Sequence, residues 1–118
     1  MKEFVLMFRN APQPDFKPSA AQLQAITESW MNWMGSIAAE NKLAHSGNRL
    51  SLSAAKTVRA GGIVTDGPYT EIKEFINGYI VVKCERIEDA VAIAEGCPIL
   101  QAGGNVEVRA AVSPDDNS

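Results

Sequence analysis

An α+β fold, with an antiparallel sheet that carries both helices on one face, follows from three features of this chain. Short β-rich runs and helical patterns alternate along its 118 residues, and apolar residues recur at helical spacing between Leu23 and Ile37. Glycine and proline punctuate nearly every boundary between them. The length suits one domain, and the expected extent is residues 1–112 with a loose tail at 113–118.

The first strand is the continuous apolar run Phe4 to Phe8, bounded by charge and by a loop holding Pro12, Pro14 and Pro18. Ser19 with Gln22 three residues on matches a capping box, in which each residue satisfies a free N–H of the other. Leu23, Ile26, Trp30, Trp33, Met34 and Ile37 then make one apolar face, so the spacing predicts a helix over 20–41, finished by His45-Ser46-Gly47-Asn48. Lys56 to Ala60 and Ile63 to Thr65 flank Gly61-Gly62 and read as a hairpin, because glycine supplies the positive φ of a tight turn. Asp66-Gly67-Pro68 ends it, since Pro68 lacks the N–H a central strand requires.

Tyr79 to Glu85 is strongly β-branched and reads as a strand. Ile87, Ala90, Val91 and Ala94 line one face of a short helix, stopped by Gly96 and Pro98. Its N-cap would be Arg86, a poor capping residue. Val106, Val108, Ala110 and Val112 alternate with Glu107, Arg109 and Ala111 as a half-buried last strand. Strand, long helix, hairpin, strand, short helix and strand come close to β-α-β-β-α-β, the ferredoxin-like plan with an added hairpin. Two helices cover one sheet face. The strands are apolar enough that the other face calls for a second copy, so a homodimer is expected.

Charge and cysteine content exclude several classes of function. A net charge of −3 with no Lys/Arg run gives no basis for binding nucleic acid or an anionic membrane. Cys84 and Cys97 form no C-x-x-C pair and read as reduced structural thiols. The apolar run before Arg9 is too short for a signal peptide, and no stretch is long enough to span a bilayer, so a cytoplasmic location is expected. No phosphate-loop, metal-ligand or cofactor motif is present in the sequence.

The candidate site residues surround Asp66-Gly67-Pro68-Tyr69. Asp66 is either a turn residue accepting nearby N–H groups or a general base at the mouth of a pocket. Tyr69 is either core or the flat wall of a ligand site, as are Trp30 and Trp33. Arg59, Lys73 and their acidic neighbours Glu71 and Glu74 form either a solvated rim or, through the Arg59 guanidinium, a carboxylate clamp. His45 is either a surface residue or a proton-transfer group.

Arg59, Asp66-Gly67-Pro68 with Tyr69, Glu71, Lys73-Glu74, Gly78-Tyr79, Glu88 to Pro98 and Val106 to Val112 together resemble the YCII-related family. More narrowly they resemble its Asp-Gly-Pro-Phe (DGPF) subgroup, with Tyr69 in the Phe place. The resemblance implies a ferredoxin-like domain that pairs into a dimeric α/β barrel. For some family members it implies a His–Asp pair whose His lies on the first helix; helix 20–41 holds no His, and His45 lies just beyond it. Relatives of the subgroup are often encoded beside alternative sigma factors. Two functional readings follow: a dimeric small-molecule-binding or regulatory module, or a lyase- or isomerase-type enzyme acting through Asp66 and His45 on an acidic or aromatic small molecule, with Arg59, Tyr69 and Lys73 binding it. Neither reading involves a cofactor.

Overall fold

Phe4, Leu6 and Phe8 point to one side of the first strand, and everything that packs on the domain's core packs there. In the computed structural model, which describes residues 1–11, 16–67 and 75–115, the order is β1 (Lys2–Asn10), α1 (Ala20–Ala39), β2 (Leu43–Arg49), β3 (Lys56–Arg59), β4 (Ile63–Asp66), β5 (Phe75–Cys84), α2 (Ile87–Ala94), a single 3-10 turn (Pro98–Leu100) and β6 (Asn105–Ala110). The main sheet is open, fully antiparallel and ordered β2-β5-β1-β6, while β3 and β4 form a separate two-stranded sheet. Among the described residues the sheet does not close into a barrel.

One core joins the sheet to both helices. It contains Phe4, Leu6 and Phe8 of β1, Ile80, Val82 and Cys84 of β5, Trp33 and Ile37 of α1, and Ala90 and Ala94 of α2. Strand alternation dictates this: every second residue of β1 and β5 faces the helices. In the single chain β1 is therefore fully buried on one face only. Val5, Met7 and Arg9 lie on the far side and are only half-buried. Phe8, Trp30 and Trp33 stack edge-on with centroids 5.0 to 5.8 Å apart, so the tryptophans are packing residues.

The capping box forms as expected. The Gln22 N–H donates to Ser19 Oγ at 3.2 Å, and the Ser19 N–H donates to Gln22 Oε1 at 2.8 Å. The far end of α1 differs. The helix stops at Ala39 and turns at Asn41, whose φ is 57°. The Asn41 N–H donates to the Ala38 carbonyl, and the Lys42 N–H donates to the Ile37 carbonyl. These two bonds make a Schellman motif with asparagine in the left-handed position. Gly47 is therefore released from capping, and the segment expected to finish the helix belongs to the edge strand β2.

At α2 the Asp89 carboxylate accepts the Arg86 N–H at 3.2 Å, which supplies the cap that Arg86 cannot. The Gly61-Gly62 turn forms as expected, with φ of 86° and 77°. Among the described residues no helix is long and apolar enough to cross a membrane.

Cys84 and Cys97 are buried free thiols. Burial pushes the Cys97 thiol up from 9.0 to about 11, against a smaller opposing pull from a backbone hydrogen bond at Ile99. Cys84 is likewise raised by burial first, then by Asp89. The native state thus keeps the Cys97 proton to about pH 11, while the unfolded chain loses it near 9.0. Between those values the unfolded state binds fewer protons, so stability falls as pH rises. The expected loss is on the order of 3 kcal/mol, at about 1.4 kcal/mol per pH unit. Denaturant melts across that window should show the fall, and Cys97→Ala should flatten it. Iodoacetamide should label neither cysteine below the window until the chain is unfolded, and then both.

Candidate functional site

The bare face of the sheet is where chemistry-bearing side chains meet. The strand register sets them in two rows. His45, Val81, Val5 and Arg109 stand side by side across the four strands, and next to them stand Asn48, Tyr79, Met7 and Glu107. Val5, Met7 and Val81 make an apolar floor, half-buried although no helix among the described residues covers it.

Two irregularities in β2 aim its side chains at this floor. The register with β5 shifts between Leu43 and His45 and again between His45 and Asn48. The first shift moves His45 to the face opposite Leu43, which packs on the core. The second is built on Gly47, whose φ is 63° and whose added Cβ would lie 1.7 Å from the Tyr79 carbonyl oxygen. Only glycine fits that approach. Its N–H donates to His45 Nδ1 at 2.8 Å, so the neutral imidazole carries its own proton on Nε2. His45 is thereby set as a hydrogen-bond donor at Nε2 rather than a base there. Beside it the Asn48 amide Nδ2 donates weakly to the Tyr79 hydroxyl at 3.5 Å.

The other end of the rows is charged. Glu107 bridges Arg9 at 3.2 Å and Arg109 at 3.9 Å. Two guanidiniums share one carboxylate, leaving one net positive charge. Among the described residues the buried Arg9 Nε has no acceptor. An apolar floor with hydrogen-bond donors on one side and surplus positive charge on the other suits a flat molecule bearing a carboxylate.

The sequence-predicted residues are not gathered at one point. His45 stands on this face. Asp66 and Arg59 belong to the separate hairpin, at opposite ends of it: Asp66 pairs with Lys56 and Arg59 with Ile63, about 10 Å apart along the strands. The Asp66 side chain is 89% exposed and its carboxylate forms an ion pair with Lys56 Nζ. The nearby corner is tied instead by the Gly67 N–H to the Ala55 carbonyl, at 2.7 Å. Tyr69 and Lys73 lie outside the described residues. Arg9, Tyr79, Glu107 and Arg109 were not singled out as site residues by sequence, although the alternation of β1 and β6 already puts Arg9, Glu107 and Arg109 opposite the apolar set.

A cleft of about 380 Å³ lies elsewhere, between α1 and α2 against Trp33 and Ile93. Its polar groups are satisfied from within. Lys42 pairs with Glu40 at 3.3 Å, Ser36 Oγ donates to the Trp33 carbonyl at 2.7 Å, and Trp33 Nε1 donates to the Ile93 carbonyl at 3.0 Å. It reads as a seam between helices. Among the described residues no group of three His, Cys, Asp or Glu is placed to hold a metal ion.

The fold and face together define a small two-layer α+β domain, with one sheet face left uncovered among the described residues. The chain matches the YCII-related domain over residues 4–112 and belongs to that family. No curated protein matches the chain.

Proposed function

We propose that this protein is a cytoplasmic homodimer that binds a small, ring-containing carboxylate on the bare sheet face, as a binding or regulatory module. In this reading it is a DGPF-type member of its family, with a ferredoxin-like domain over 1–112 that pairs into a dimeric α/β barrel. His45 anchors the ligand. What carries the reading is the Val5-Met7-Val81 floor set between the His45 donor and the Arg9–Glu107–Arg109 cluster. The His45 tautomer favours binding over proton transfer. A lyase or isomerase would need Asp66 as its base, and Asp66 is spent on an exposed ion pair.

Benzoate is a suitable probe. In a methyl-labelled NMR titration it should shift Met7, Val5 and Val81 together with the His45 ring. Arg9→Gln should weaken that binding about 10-fold, the value of one charge-assisted hydrogen bond. Shifts confined to Ile37 and Ile93 in the seam between the helices would move the site there. A folded protein with no shifts at all would end the binding reading.

A further inference from the structure

The β3–β4 hairpin is the part of the chain least explained by its own fold. Among the described residues its strands pair only with each other. Val58, Ile63 and Val64 are 72%, 52% and 56% exposed. The register puts Val58 directly opposite Val64 on one face, next to the Lys56–Asp66 pair, and Ile63 opposite Arg59 on the other. A lone two-stranded hairpin is marginal in water, and uncovered valines add nothing to it. Leu23, Ile26 and Met31 of α1 are exposed as well.

Size arguments identify what covers these residues. The chain exposes 8324 Å², whereas a compact monomer of 12.7 kDa exposes roughly 6,200 Å². Its radius of gyration is 16.0 Å against about 13.5 Å for a compact domain of this length. The surplus, roughly 2,000 Å², falls within what one partner contributes to an obligate homodimer. A second copy is therefore the occupant that the area calls for.

We infer that the β3–β4 hairpin is a dimerisation arm, which packs Val58 and Val64 on a second copy of this chain. The inference rests on the homodimer proposed above and adds the arm to the sheet face as a contact between copies. Lys56 and Asp66 pair beside the valines, so the arm presents no unpaired charge from that pair to the partner.

Hydrogen exchange of the full chain tests it. At a protein concentration where sedimentation shows dimer, the amides of 56–66 should be protected, and dilution below the dissociation constant should remove that protection. Val58→Asp combined with Val64→Asp should raise the dimer dissociation constant about 100-fold or more, by placing unpaired charges in the contact. Met7→Asp, on the bare sheet face, serves as the comparison. If Met7→Asp dissociates the dimer while the arm variant associates like the wild type, the arm is overturned and the sheet-face dimer stands. If the wild type is monomeric at every concentration, both are overturned. Unprotected arm amides in a proven dimer also overturn the arm.

Discussion

Replacing Gly47 with alanine lowers the thermal midpoint by on the order of 10–20 °C. Two costs add. The residue sits at φ 63°, where an L side chain costs roughly 1–2 kcal/mol. The added Cβ would also lie 1.7 Å from the Tyr79 carbonyl oxygen, in the middle of the β2–β5 ladder, and overpacking of this kind costs about 1–3 kcal/mol. At roughly 4 °C or more per kcal/mol for a domain of this size, that is a large part of its stability. Gly47→Asn separates the two causes. Asparagine accepts the left-handed conformation, as Asn41 does in this chain at φ 57°, so a loss as large as that of Gly47→Ala identifies the steric clash. Gly35→Ala is the opposite control. Gly35 lies inside α1 with nothing within 4 Å of an added Cβ, so alanine should stabilise by about 0.5–1 kcal/mol. Thermal melts of the variants, with 1H–15N spectra to report the folded state, decide the matter.

Trp33→Ala should destabilise by about 3–5 kcal/mol, as for other buried aromatic truncations. Trp33 is 9% exposed, stacks on Phe8 and Trp30, and ties α1 to α2 through its indole N–H to the Ile93 carbonyl. Trp33→Phe keeps much of the apolar area and removes only the tie. The Ile93 carbonyl still accepts the Gly96 N–H at 3.2 Å, so it is not left without a partner, and the phenylalanine variant should cost no more than about 1–2 kcal/mol. Equilibrium urea unfolding measures both. Equal losses for Ala and Phe would mean that the hydrogen bond, not the packing, holds the helices together.

What the sequence made legible follows from which signals are local. The capping box at Ser19, the Gly61-Gly62 turn and the Trp30–Ile37 part of the apolar stripe of α1 depend on residues a few positions apart and appear in the structure, whereas Leu23 and Ile26 of that stripe are exposed. The strand β2 did not announce itself. Its residues Leu43–Arg49 include no β-branched or aromatic side chain, and its Gly47 imitates a helix terminator. Pairing with β5 makes it a strand, and that pairing is long-range information. The same gap hid the site. His45 could be named from sequence, but only the shifted register places it beside Val81 and Tyr79 and lets Gly47 fix its tautomer. Asp66 and Arg59 drew notice because they flank a turn motif, yet the hairpin that bears them stands on its own sheet.

The central claim is that a second copy of the chain covers the bare sheet face and so encloses the site. Sedimentation equilibrium at micromolar concentration tests it most directly, on the wild type and on Met7→Asp. Met7 lies in the middle of that face, between Tyr79 and Glu107. Its side chain does not belong to the helix-side core, so an aspartate there should leave the monomer folded. The account predicts a wild-type species at twice the 12.7 kDa chain mass, and a Met7→Asp variant that is folded and monomeric. A wild type that runs as a single 12.7 kDa species would contradict it, and so would a Met7→Asp variant that dimerises unchanged.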